Sequence, residues 1–242
     1  MSPLIDIRIF QGHAPELPPS DVNIVIDVIR AFTTTHIAFE NGVEKIVLAG
    51  EVAEARALAA DHPDYVLAGE RDALEIDGFD MGNSPHACAQ RDLQGRTMIL
   101  TTTNGVRATL HAIQSMDDGR VFVTGFSNAA RTAAYVRGLA RPAQTLRINL
   151  IASNPTDDDD RACAEFIRDR LLEDKPAAEA VGSDAVIRRI RECEAAQKFL
   201  NPARPEYDRR DVECCMTPRR SDFVMEAAEI DGRPVLTKRI DL

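Results

Sequence analysis

Tryptophan is absent from this 242-residue chain, aromatic residues make up only 5% of it, and no run of 18 apolar residues occurs anywhere. The last of these absences excludes a membrane-spanning helix on length alone. The opening Met1 to Phe10 also lacks the basic stretch and apolar core of an export signal, so a cytoplasmic protein is expected. Cysteine is sparse and odd in number, five residues at 88, 163, 193, 214 and 215 without C-x-x-C spacing, which argues against a disulfide framework or a structural zinc site. Neither G-x-G-x-x-G nor G-x-x-x-x-G-K-[S/T] is present, and the five histidines form no H-x-x-x-H or H-E-x-x-H pattern. The usual signatures of dinucleotide, P-loop and zinc-hydrolase sites are therefore missing. Positive charge is in deficit, with 29 Lys and Arg against 39 Asp and Glu, a formal charge of −10. Such a surface repels nucleic acid and anionic lipid, so neither is an expected partner, and any anionic ligand must be captured by a local cationic pocket.

What the chain does have is 44% hydrophobic content over a length able to bury a large core, and a single domain spanning 1–242 is expected. Apolar runs alternate with helix-compatible segments: strand 23–28, helix 33–41, strand 45–49, helix 51–61, strand 65–69, then strand 97–102, helix 105–116, strand 120–125, helix 127–140, strand 145–152 and helix 158–173. This alternation predicts a three-layer α/β/α fold with a mainly parallel or mixed sheet. Beyond Asp174 the chain changes character, with a charged helix-like stretch from Ser183 to Leu200 and an Arg-, Pro- and Asp-rich segment to Arg220. The end reads as a C-terminal β-hairpin, 223–230 and 234–240, closed by Asp231-Gly232.

The most informative stretch is Asn23 to Thr35, where a buried-strand pattern ends in Asp27, Arg30 and the hydroxyls of Thr33, Thr34 and Thr35 ahead of a helix. Open α/β sheets place ligands at strand carboxyl ends, and a helix start offers unpaired N–H groups to an anion. Four further turns follow apolar strands or carry similar donors: Glu70 and Arg71; Asn83 and Ser84 in GFDMGNSP; Thr101, Thr102, Thr103, Asn104 and Gly105; and Ser127 and Asn128 after Gly125. Any one of them is accounted for as a helix cap. Five on one sheet edge, two of them also carrying an arginine and a carboxylate, favour an anion site. The acids Asp157 to Asp160 read either as a helix N-terminal cap or as metal ligands, with Asp159 and Asp160 approaching Asp27.

Taken together, VIDVIRAFTTT (25–35), LAGER (67–71), GFDMGNSP (78–85), TTTNGVR (101–107), GFSN (125–128) and DDRACA (159–164) resemble the 2-phosphosulfolactate phosphatase family, Mg2+-dependent α/β hydrolases associated with sulfonate and coenzyme M biosynthesis. The resemblance covers roughly 20–175, whereas 175–220 matches nothing of the family and forms a divergent segment. It implies hydrolysis of a small phosphate monoester, 2-phospho-3-sulfolactate to 3-sulfolactate and phosphate, with Mg2+ held by Asp27, Asp159 and Asp160. Arg30 and Arg71 would clamp the phosphate or sulfonate oxygens, with Glu70 as general base or a further metal ligand. Thr33, Thr34, Thr102, Thr103, Asn104, Gly105, Asn83, Ser84, Ser127 and Asn128 would line the substrate.

Other chemistries fit less well. A haloacid-dehalogenase loop needs Asp-x-Asp where this chain has Asp27-Val28-Ile29. Cys214 and Arg220-Ser221 satisfy the cysteine-phosphatase spacing, yet Pro218 removes a donor and no apolar strand leads in. The non-enzymatic rival is a binding protein for a phosphorylated or sulfonated metabolite; for Arg30 the rival role is an ion pair with Asp27. The expected assembly is a homodimer.

Overall fold

The computed structural model describes residues 4–173 and 183–240, so part of the divergent segment, 175–182, lies outside the described residues. The chain runs through β1 (Leu4–Gln11), β2 (Val22–Ile26), α1 (Ala31–Glu40), β3 (Lys45–Leu48), α2 (Val52–Asp61), β4 (Val66–Arg71), β5 (Leu74–Glu75), α3 (Pro85–Cys88) and β6 (Thr97–Thr101). It continues with α4 (Gly105–Gln114), β7 (Arg120–Thr124), a 3-10 turn at Phe126–Asn128, α5 (Ala129–Gly138), β8 (Thr145–Ala152) and α6 (Asp159–Leu172). After 182 come α7 (Ser183–Glu192), α8 (Glu194–Leu200), α9 (Arg209–Cys215), β9 (Val224–Ile230) and β10 (Arg233–Arg239). Among the described residues no helix is long and apolar enough to cross a membrane.

All ten strands join one mixed sheet in the order β1-β8-β2-β7-β9-β10-β3-β6-β4-β5. The expected three-layer architecture is present, and the C-terminal hairpin forms where the sequence places it. Asp231 and Gly232 both take positive φ, 54° and 72°, the left-handed pair that closes a two-residue turn in register with the strand twist. The hairpin is not an appendage. It pairs antiparallel with β7 on one side and β3 on the other, joining two half-sheets that are parallel apart from the short edge strand β5.

Alternation along the strands builds a core on each face. Val25, Leu48, Leu100, Val123 and Met225 point to one face and pack with Phe32 and Phe39 of α1 and Val106 and Ala108 of α4. Ile24, Ile26, Phe122 and Leu150 point to the other, against α5 and α6. Five strand spacings separate β2 from β6, which in a flat sheet would be about 24 Å. Yet a Cβ placed on Gly105, at the start of α4, would lie 2.7 Å from Asp27 Oδ2. The sheet therefore curls around α1 and α4, and that curl brings the turns after β2, β4 and β6 to one place.

Candidate active site

A cleft of about 320 Å3 opens at that place, lined by Asp27, Ile29 and Arg30 after β2, Glu70, Asp72 and Ala73 around β4, Asn83 ahead of α3, Thr103 and Asn104 after β6, and Asn154 after β8. Its other wall, Ala195, Lys198, Phe199, Arg204 and Tyr207, comes from α8 and the loop behind it. A larger cleft of about 770 Å3 lies elsewhere, between α5 and the ends of α6 and β10, and none of the sequence-predicted site residues lines it.

Asp27 is the carboxylate at the centre of the cleft's floor. Its Oδ1 accepts the N–H of Ala31 at 2.9 Å, anchoring the first turn of α1, and Oδ2 accepts the Ser153 hydroxyl at 3.3 Å. Burial, then the neighbouring Asp160 and Glu70 carboxylates, push its carboxyl up to about 8. No Lys, Arg or His pairs with it among the described residues. Glu70 faces it across the cleft, holding the turn after β6 through Thr103 N at 2.6 Å and Thr103 Oγ1 at 3.0 Å, and the β4–β5 turn through Ala73 N at 2.8 Å. Asn83 is 4% exposed, and its side-chain oxygen has no partner among the described residues.

Arg30 does reach the cleft, but its charge is matched from an unforeseen quarter. It donates to Asp211 of α9 at 2.6 Å and to the Ala73 carbonyl at 2.6 Å, with its guanidinium 4.6 Å over the Phe199 ring. The rival pairing with Asp27 does not occur.

The other expected site residues sit outside the cleft wall, each for a local reason. Arg71 turns back along the sheet edge to the Glu70 carbonyl at 2.7 Å and Thr101 Oγ1 at 2.9 Å. Ser84 caps α3 by accepting from Ala87 N, and it donates to Asp211 at 2.6 Å. Thr33, Thr34 and Thr102 are buried and bonded inward, to the Val28 carbonyl, the Asn83 carbonyl and Val106 N respectively. Gly105 supplies space rather than a contact, since any side chain there would collide with Asp27. Ser127 bonds His36 at 2.9 Å and Asn128 accepts from Thr124, both on the far side of α1, because β7 enters the sheet between β2 and the hairpin.

Asp159 and Asp160 lie one layer behind the floor. Asp160 accepts from Val28 N at 2.7 Å, Ser153 Oγ at 2.9 Å and Asn154 N at 3.0 Å, strapping α6 to the turns after β2 and β8; burial still pushes its carboxyl up to about 6. Asp159 accepts from Ile29 N at 3.2 Å, and burial with Asp160 beside it holds its carboxyl well above the usual range. The Cys214 thiol is also raised by burial and sits within α9, which removes the thiolate a cysteine phosphatase requires.

Sequence reasoning missed the whole α8 wall. The one available signal was the density of cations at Lys198 and Arg204 in an otherwise acidic chain. Asp211 carried no signal, since its pairing with Arg30 spans 181 residues.

The oxygen-rich floor fits a hard divalent cation. Asp27 and Glu70 are buried carboxylates without a paired cation among the described residues, and the Asn83 oxygen is unsatisfied. The donor set for anions is equally plain, because α1 and α4 both begin at the cleft and direct their positive ends towards it.

Comparison with known proteins gives the family. The family model described as 2-phosphosulpholactate phosphatase matches residues 10–229. A protein of Bacillus subtilis (strain 168) named probable 2-phosphosulfolactate phosphatase is 42% identical over 234 residues, 97% of this chain and 98% of its own length. A like-named protein of Trichormus variabilis is 31% identical over 195 residues, covering 76% and 77% of the two chains. Another, of Caldicellulosiruptor saccharolyticus, is 33% identical over 156 residues, 63% of each. The chain belongs to the 2-phosphosulfolactate phosphatase family, a family of phosphoric monoester hydrolases.

Proposed function

We propose that the cleft hydrolyses 2-phospho-3-sulfolactate to 3-sulfolactate and phosphate with Mg2+ as cofactor. The observation that carries this reading is the position of Asp27: a buried carboxylate without a paired cation among the described residues, set where two helix N-termini converge. Asp27 and Glu70 are the residues that would hold the ion, with Asp160 fixing the turns around them from behind. A Mg2+ ion bound there supplies charge neutralisation at the phosphoryl oxygens and a more acidic water.

The rest of the reaction falls to the chain's own groups. A phosphate monoester beside a sulfonate and a carboxylate carries several negative charges, so binding is dominated by neutralisation and orientation. Lys198 and Arg204 provide full positive charges from the α8 side, and the starts of α1 and α4 add the positive ends of their helix dipoles from the sheet side. Arg30, fixed by Asp211 and the Ala73 carbonyl, keeps further N–H donors for an oxyanion because its five exceed the bonds it makes. The Asn83 amide, free of side-chain partners at its oxygen, is positioned to contact substrate or water. Phe199 and Tyr207 cover the opening and limit water access.

The test is phosphate release from 2-phosphosulfolactate by the purified protein with Mg2+, then with EDTA. Release that needs the divalent ion supports the reading. Binding of the ester without release under any divalent ion would leave the protein a metabolite binder instead.

A further inference from the structure

Behind the cleft, the turn before α6 meets the start of α8. One carboxylate oxygen each from Asp157 and Asp159 and the Cys193 sulfur all lie within 4.8 Å of one another. Helix capping explains part of this. Asp157 accepts from Glu194 N at 3.0 Å and Ala195 N at 2.6 Å, and Cys193 Sγ accepts from Ala196 N at 3.3 Å. Capping does not explain Asp159, which is 2% exposed and whose Oδ1 is buried without a hydrogen-bond partner among the described residues. Among the described residues no Lys, Arg or His pairs with Asp157 or Asp159; the nearby Arg189 is taken by Asp158 and Glu165. In its charged form a buried carboxylate set beside a second carboxylate and a thiol is unfavourable unless a cation sits among them.

We propose that Asp157, Asp159 and Cys193 form a second divalent-cation site, selective for a thiophilic ion of the Zn2+ type, which latches α8 to the start of α6. None of the three lines the cleft, so this site is separate from the Asp27 and Glu70 floor. The sulfur ligand sets the selectivity. Mg2+ seeks six oxygens in an octahedron, whereas Zn2+ binds thiolate and carboxylate together in a compact four-coordinate shell, with water or solvent as the fourth ligand. Loading replaces the Cys193 S–H bond by an S–metal bond and releases that proton to solvent, along with the Asp159 proton where the carboxyl is protonated. Thiolate and carboxylate, not thiol and carboxylic acid, are the ligating forms. Affinity therefore increases with pH. The structural consequence is direct: α8 carries Lys198 and Phe199, so the latch fixes one wall of the cleft.

The full-length protein, freed of metal and titrated with Co2+ as a spectroscopic stand-in for Zn2+, tests the site without substrate. One equivalent of Co2+ is expected to give a thiolate-to-metal charge-transfer band that Zn2+ abolishes and excess Mg2+ does not. Cys193→Ser is expected to lose the band and the equivalent of Zn2+ retained on dialysis, whereas Cys214→Ser keeps both. Asp159→Asn is expected to weaken Co2+ binding by on the order of tenfold or more. Absence of the band in the unaltered protein overturns the proposal even if a variant fails to fold, and so does a band that survives Cys193→Ser. Phosphate release is not read in this experiment, so its outcome stands apart from whether the cleft is catalytic.

Discussion

Arg30 donates to Asp211 at 2.6 Å, with both side chains almost wholly buried, and so it is held by a residue 181 positions away rather than by Asp27 three positions before it. Asp211 also receives Ser84 Oγ at 2.6 Å and His86 N at 3.2 Å, which makes it the knot joining α9, the start of α3 and the cleft arginine. Removing it strands a buried guanidinium. Asp211→Ala is expected to cost about 3–5 kcal/mol of stability, the range for breaking one side of a buried pair. Urea unfolding of the two proteins measures this. A loss below about 1 kcal/mol would mean that solvent already screens the pair.

Gly105 is the second place where the cleft depends on a close approach. Its missing Cβ would lie 2.7 Å from Asp27 Oδ2 and 3.0 Å from Ala31 Cβ, with both neighbours fixed by the first turn of α1. Gly105→Ala should therefore displace the carboxylate and cost about 1–3 kcal/mol from overpacking. Phosphate release should fall by more than the stability loss implies, through kcat rather than KM. Thermal melting beside steady-state kinetics separates the two effects.

These two relationships show how far the sequence could be read. The strand-to-turn pattern at Val25 to Thr35 and at Met98 to Gly105 is local, so the rim, and Asp27 within it, follow from apolar runs ending in polar turns. Strand order is not local. Nothing in Phe223 to Ile240 announces that the hairpin inserts between β7 and β3, and that insertion decides that Ser127 and Asn128 face α1 instead of the ligand. β1 is missing from the expected alternation, which begins at 23–28, although Ile5, Ile7 and Ile9 alternate with Asp6 and Arg8 as in a half-buried edge strand. The charged stretch from Ser183 to Leu200 read as one helix; it is two, broken where Cys193 caps α8. Several of the hydroxyls that suggest ligands serve the chain's own backbone, as Thr33, Thr34 and Thr35 do, which composition alone does not distinguish.

The pH dependence of stability follows from Asp27. Its carboxyl has an ordinary value of 3.8 and is raised to about 8 in the fold, so the folded protein binds the proton more tightly than the unfolded chain. The associated stability is fully present below about 3.8 and is lost as pH rises towards 8. Asp160, raised to about 6, adds to the loss over the lower part of this window. Metal-free protein is therefore expected to melt at a lower temperature at pH 8 than at pH 5, and Asp27→Asn should flatten the difference. Added Mg2+ should raise the melting temperature more at pH 8, where it meets an ionised carboxylate, than at pH 5. A melting profile that climbs from pH 5 to pH 8 in the metal-free protein would contradict the assignment.

Arg71 and Arg204 make a matched pair for separating structural from substrate-facing charge. Arg71 lies outside the cleft and bonds the Glu70 carbonyl and Thr101 Oγ1, so Arg71→Gln should cost about 1–3 kcal/mol of stability while KM for the ester stays within roughly twofold. Arg204 lines the cleft, lies 4.6 Å over the Tyr207 ring, donates to the Tyr207 hydroxyl at 3.2 Å and has the exposed Glu206 as its ion-pair partner among the described residues. Surface pairs of that kind contribute little, which leaves its charge available to an incoming anion. Arg204→Gln should raise KM by roughly tenfold, about 1.4 kcal/mol of binding, with stability nearly unchanged. Lys198→Gln should act in the same direction, since it stands on the same wall with only Glu194, at 4.0 Å, as its ion-pair partner. Steady-state phosphate release over a range of ester concentrations, set beside urea unfolding of each variant, gives both quantities. An Arg71 variant with a raised KM and an Arg204 variant without one would move the anion subsite from the α8 wall to the sheet edge.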